Sequence, residues 1–182
     1  MLTPENTAVA VVDIQTRLLP SIRHSAALER KMAAFIAGCR LLELPVIVLQ
    51  QYTKGLGETV PALQSALGDF SPIEKLTFSA CRTEEFVEKV KFYGKPNIIV
   101  TGIEAHICVQ MTVQDLLAAG HGVYVPADCI GSRKEADMNY AVERMRQMGA
   151  AVTTMEAVLF EMLARADHPM RKAITGLITQ LD

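Results

Sequence analysis

A carboxylate, an ammonium and a thiol, far apart in the chain, each stand where folding could put them to chemical use. Asp13 closes the apolar run Ala8-Val9-Ala10-Val11-Val12. An Asp there caps the turn that follows, or, if buried, is a carboxyl group with a raised pKa that can accept a proton. Lys75 lies in Ser71-Pro72-Ile73-Glu74-Lys75-Leu76. Taken alone it is a surface lysine; pointed into a cleft beside Asp13 it would hold the carboxylate charged and position a third group. Cys108 follows Gly102-Ile103-Glu104-Ala105-His106-Ile107 and falls in the first turn of an expected helix. Free N–H groups and the helix dipole there lower a thiol pKa from its usual ~8.5, and the same donors can receive an oxyanion. The alternative for Cys108 is a small buried hydrophobe, the common fate of a free cysteine.

Other reactive side chains are less well placed. Cys39 sits on the apolar stripe of a helix, and Cys81 and Cys129 lie in loops. A redox pairing of Cys108 with Cys81 or Cys129 is a third reading of the thiol. Lys54-Gly55-Leu56-Gly57 lacks the spacing of a phosphate loop. His24, His106, His121 and His168 form no HxxxH or DxH ligand pattern. His106 is two residues from Cys108, and i and i+2 diverge on a helical turn.

The elements that must position these groups alternate. Short apolar runs at 8–12, 46–49, 73–76, 97–101, 123–125 and 151–154 read as strands. Between them, helical periodicity covers roughly 25–43, 82–93 and 105–119. Gly55 and Gly57 mark a loop, Thr59-Val60-Pro61 opens a short helix, and two helical segments close the chain. Ser132-Arg133-Lys134-Glu135 fits a capping box, opening a helix that Gly149 terminates. Strands apolar throughout and alternating with helices imply βαβ units and a parallel sheet covered on both faces. Ligands of such a sheet bind beyond the carboxyl ends of its strands. Asp13, Gln51, Lys75, residues 102–108 and Asp128 all fall there.

Composition narrows the classes. The 182 residues suit one domain spanning 1–182, and 50% hydrophobic content excludes disorder as the main state. Eighteen Lys and Arg against twenty Asp and Glu give a net charge of −2, so there is no electrostatic footprint for nucleic acid or anionic lipid. No apolar run approaches the ~18–20 residues of a membrane span. The N-terminus lacks the basic stretch of a signal peptide. The four cysteines are widely spaced and read as free thiols, which points to the cytoplasm.

Together, Val11-Val12-Asp13-Ile14-Gln15, Glu74-Lys75-Leu76-Thr77-Phe78-Ser79 and Val100 to Val109 resemble the isochorismatase-like cysteine hydrolase superfamily. Residues 51–57, Ser132-Arg133, 152–156 and Asp167-His168-Pro169 resemble its isochorismatase domain-containing subgroup. The resemblance implies a three-layer α/β/α sandwich, Rossmann-like, with a mainly parallel central sheet. It implies a triad of Asp13, Lys75 and Cys108, and a thioester-type intermediate on a small amide, C–N or ester substrate. It further implies a cis peptide between Ile103 and Glu104, with the Glu104 and Cys108 amides facing the oxyanion. Gln51, Tyr52, Phe78 and His106 are then expected to bind substrate, with Ser79 and Cys81 at the lip. No cofactor is expected. Metal-dependent relatives carry a DxH where this chain reads Gln51-Tyr52-Thr53, and no His or Asp stands between residues 49 and 68. Isochorismatases that cleave a vinyl ether use no nucleophilic cysteine, so isochorismate is not the expected substrate. The expected partners are a small molecule and further copies of the chain, as a dimer or tetramer, with 173–178 offering an apolar stripe. The competing class is a binding or scaffold protein that keeps the triad without turnover.

Overall fold

The computed structural model describes residues 1–181. Strand β1 (Thr7–Val12) is buried at every position, as a central strand must be when both faces of its sheet are covered. Helix α1 (Ser25–Leu41) carries the chain to β2 (Val46–Gln51), the short helices α2 (Thr53–Leu56) and α3 (Pro61–Leu67), and β3 (Ile73–Lys75). Helix α4 (Glu84–Tyr93) leads to β4 (Asn97–Ile103), then α5 (Gln110–Ala118), β5 (Gly122–Pro126) and the two-residue β6 (Ile130–Gly131). Helix α6 (Glu135–Gln147), β7 (Ala151–Thr153), α7 (Met155–Leu163) and α8 (Arg171–Thr179) complete the chain.

The strands form one sheet in the order β3-β2-β1-β4-β5-β7, with β6 paired to the end of β4. Every ladder is parallel. The alternation of side chains sends the faces of β1 into two separate cores. Val9 and Val11 pack with α1, α3, α7 and α8. Ala8, Ala10 and Val12 pack with α4, α5 and α6. The three-layer α/β architecture expected from the sequence is thus present.

The chain runs outward from β1 to β3, then returns to the other side of β1 as β4. That reversal makes the carboxyl ends of β1 and β4 a topological switch point, where ligands of such sheets bind. The two ends approach closely because residue 102 is glycine. Gly102 has φ +129, and any Cβ there would run into the Val12 carbonyl oxygen.

Three local expectations are corrected. The helix after β4 does not start as an α-helix: Ala105–Val109 form a π-type turn, in which the Val109 N–H donates to Glu104 O at 3.2 Å. Such turns widen the backbone and gather at functional sites. Ser132 is not a helix cap, because α6 starts only at Glu135, and its hydroxyl meets His106 Nδ1 at 2.9 Å instead. Gly55 lies within α2 rather than in an open loop. The strand β6 was not foreseen; two residues are too short for a periodicity to register.

Candidate active site

Asp13 leaves β1 in the left-handed region, φ 57, a conformation that Asp tolerates better than most residues. Its N–H donates to Leu49 O at 3.2 Å, tying the turn to the end of β2. Lys75 is the last residue of β3 and pairs in register with Gln51 of β2. Its side chain reaches across the end of β2, and Nζ lies 2.6 Å from Asp13 Oδ2 and 2.6 Å from Gln51 Oε1. The carbonyls of Thr77 and Phe78, each at 3.3 Å, complete its shell. Both side chains of the Asp13–Lys75 pair are fully buried. An ion pair removed from water this way is held by its geometry, because either charge alone would be costly there.

Asp13 Oδ1 has no well-formed hydrogen bond although it is buried. The Cys108 thiol lies beside this pair, close enough to interact with both Asp13 and Lys75. Burial pushes the Asp13 carboxyl above the ordinary carboxylate range, with Lys75 and hydrogen bonding pulling the other way. Burial also pushes the Cys108 thiol up from 9.0 to about 12, and the Asp13 charge adds to this against the pull of Lys75. This corrects the expected low pKa. Desolvation and a neighbouring carboxylate outweigh the dipole of a helix whose first turn is not α-helical. At neutral pH the thiol holds its proton, with an unsatisfied carboxylate oxygen beside it.

A stability consequence follows. The folded chain keeps the Cys108 proton to about pH 12, whereas the unfolded chain releases it near 9.0. The folded state therefore binds more protons in that window. Stability falls as pH rises through it, by up to about 1.4 kcal/mol per pH unit for this thiol. Urea midpoints measured across the alkaline range should decline, and decline less steeply in Cys108→Ala.

The other expected residues are distributed around this centre. The Ile103–Glu104 peptide is cis. The buried Glu104 carboxylate accepts from Arg133 Nε at 2.7 Å and from the Arg133 N–H at 3.2 Å. His106 Nε2 lies 3.8 Å from Asp137 Oδ2 on α6. Glu104 and His106 thus tie the turn that carries Cys108 to the loop between β6 and α6. Tyr52 and Phe78 are about half exposed. Phe78 lines a cavity of about 430 Å³ with Leu76, Met111 and Gln114. That cavity adjoins the centre through the Thr77 and Phe78 carbonyls that hold Lys75. Ser79 donates to Asp115 Oδ2 at 2.7 Å, and the Cys81 sulfur faces Thr112 O at 3.8 Å. Cys39, Cys81, Cys108 and Cys129 are all free. Among the described residues, no three His, Cys, Asp or Glu side chains gather as a metal site requires.

Two participants went unassigned in the sequence. Gln15 is fully buried. Its Oε1 accepts from the Gln51 N–H at 2.8 Å, and its Nε2 donates to Gln51 O at 3.0 Å and to Gly57 O at 2.6 Å. An amide two residues beyond Asp13 was the available signal. Arg133 is the other; its carboxylate partner is 29 residues away and no local pattern reveals it.

The isochorismatase domain family model matches residues 7–157. Isochorismatase domain-containing protein 2 of Danio rerio is 35% identical over 97% of this chain and 89% of its own length. A solved structure described as the MAR1 ribonuclease of Caenorhabditis elegans superposes with TM-score 0.92 and 37% identity, over 98% of this chain and 92% of that one. The YcaC gene product of Escherichia coli, described as an octameric hydrolase of unknown specificity, superposes with TM-score 0.88 and 28% identity. It covers 98% of this chain and 87% of its own.

Proposed function

The chain belongs to the isochorismatase family, and we propose on that premise that it is a metal-independent cysteine hydrolase of small amides or esters. Cys108 is the nucleophile, Asp13 the proton acceptor and donor, and Lys75 the charge that fixes Asp13. The observation that carries this reading is the buried carboxylate oxygen, Asp13 Oδ1, without a partner beside a protonated thiol.

The carbonyl carbon of the substrate accepts the Cys108 sulfur as the thiol proton passes to Asp13, so free thiolate never accumulates. Lys75 keeps its proton and holds the carboxylate in line. The amides of Glu104 and Cys108 face the developing oxyanion. The C–N or C–O bond then breaks, the leaving group takes the proton from Asp13, and a thioester remains. Water adds to the thioester as Asp13 takes one of its protons, and that proton returns to the departing Cys108 sulfur. Tyr52, Phe78 and His106 are the residues we assign to the substrate's surroundings.

The charge pattern favours a neutral carbonyl compound over a phosphodiester, although one structural neighbour is described as a ribonuclease. Three cations around the centre already have a carboxylate: Lys75 with Asp13, Arg133 with Glu104, and Arg82 with Asp115. Little positive charge is left for a phosphate, and the chain's net charge is −2. The position that carries a metal-binding DxH in some relatives is Gln51-Tyr52-Thr53, whose carboxamide is engaged with Lys75. We further propose that the protein self-associates, as the octameric neighbour does, and works in the cytoplasm, where its free thiols stay reduced.

The test is covalent trapping. The protein is mixed with a chromogenic acetate ester, quenched within seconds in acid, and its peptides are weighed. An acetyl group on the Cys108 peptide, lost on longer incubation, is expected. Its absence, or acetylation of lysines alone, would point instead to a binding protein with an idle triad.

A further inference from the structure

We infer that Gln51 is a positioning residue: its side-chain amide, locked by Gln15, fixes the Lys75 ammonium between Asp13 and Cys108. The inference rests on the triad reading above and adds a residue to it.

Lys75 is a long side chain with several rotatable bonds, yet it must present its charge to one oxygen of Asp13. Its four acceptors divide into two kinds. The carbonyls of Thr77 and Phe78, at 3.3 Å, are long contacts from its own loop. Asp13 Oδ2 and Gln51 Oε1, both at 2.6 Å, are the short ones. The Gln51 carboxamide therefore supplies the second point that, with Asp13, defines a direction. The amide cannot turn over without loss, because its Nε2 donates to Leu76 O at 3.1 Å. A flipped amide would aim its N–H₂ at an ammonium.

The Gln51 backbone is held as firmly. Gln15 receives its N–H and donates to its carbonyl, at 2.8 and 3.0 Å, so a side-chain amide mimics one step of a strand ladder. Gln15 lies two residues after Asp13. The same turn that places the carboxylate thus also fixes the residue that aims the ammonium at it. The loops after β1, β2 and β3 are registered to one another through these two glutamines.

The choice of an amide has a physical reason. A carboxylate at position 51 would hold the ammonium equally well by distance, but it would share the charge with Asp13 and repel a developing thiolate. A carboxamide accepts the hydrogen bond and carries no charge of its own. The groups facing Lys75 are then Asp13 from β1 and Cys108 from the nucleophile's turn, with Gln51 neutral between strands.

The experiment follows the rate of alkylation of Cys108 by iodoacetamide between about pH 7 and pH 11, by peptide mass in the full chain. This is the rising limb below the thiol's midpoint, where a displaced limb reads as a changed rate at every pH. Parent, Asp13→Asn, Gln51→Met and Gln51→Glu are compared, with circular dichroism and thermal midpoints recorded alongside. Gln51→Met keeps the volume and removes the acceptor; alkylation is expected to slow about tenfold, with the pH limb displaced upward by about one unit. Gln51→Glu keeps shape and acceptor and adds a charge; its limb should also move upward. A purely structural Gln51 would change thermal midpoints and leave the limb where it is. Limbs that coincide with the parent's in both Gln51 variants, while Asp13→Asn displaces its own, would overturn the role of Gln51 alone. If Asp13→Asn also leaves the limb unmoved, the triad reading beneath it falls.

Discussion

Lys75→Met is expected to destabilise the fold by about 3–5 kcal/mol, the usual cost of leaving one member of a buried ion pair uncompensated. The reason lies in what remains. Asp13 is fully buried, one of its oxygens already has no well-formed hydrogen bond, and the other would lose its ammonium. Burial already raises this carboxyl, and without Lys75 the opposing pull disappears, so its folded pKa rises further. An acid whose folded pKa is raised binds its proton more tightly when folded, so the variant should recover stability as pH falls toward the ordinary carboxylate range. Asp13→Leu combined with Lys75→Met should be closer to the parent than Lys75→Met alone, because the orphaned charge is gone. Urea unfolding at neutral and mildly acidic pH measures all of this. A Lys75→Met protein as stable as the parent at neutral pH would mean that the pair is not held as described.

Cys108→Ala should lower hydrolysis of an acetate ester about a thousandfold or more, to the rate of the solvent reaction, because no covalent intermediate can form. Asp13→Asn should lose about 10²–10⁴, the range of a positioned proton acceptor. The double variant should be no worse than Cys108→Ala, since groups acting as one unit do not lose activity additively. The fold of Cys108→Ala should persist, because the thiol packs as a small side chain in an apolar cluster. Full activity in Cys108→Ala, measured by release of the chromogenic alcohol, would remove the mechanism.

The reach of the sequence follows from the range of the forces involved. The strands β1, β2 and β4 were legible because burial on both faces leaves an uninterrupted apolar run. The position of Asp13, Lys75 and Cys108 at or beyond strand ends was legible for the same reason. Their meeting as a group was not, and it rested on a family resemblance. A contact between Lys75 and Asp13, 62 residues apart, is set by sheet order, which no local pattern encodes. The capping box at Ser132 failed because a tertiary partner, His106, competes for its hydroxyl. The acidity of Cys108 was misjudged because a dipole argument sees only the helix, whereas desolvation depends on the whole surrounding core. Gln15 and Gln51 were unreadable as a pair, since a glutamine gives no periodic signal of what its amide will meet.

The protonated resting thiol also bears on how long the protein lasts in use. Burial and the Asp13 charge keep the thiol protonated at neutral pH, so little thiolate is present there. Peroxide and stray electrophiles attack thiolates, so an idle molecule offers them almost no target. On the proposed mechanism, reactivity is released molecule by molecule, when a carbonyl arrives to receive the sulfur as the proton leaves. The resting protein is therefore expected to be slow to oxidise at Cys108, which peptide masses after peroxide treatment would show.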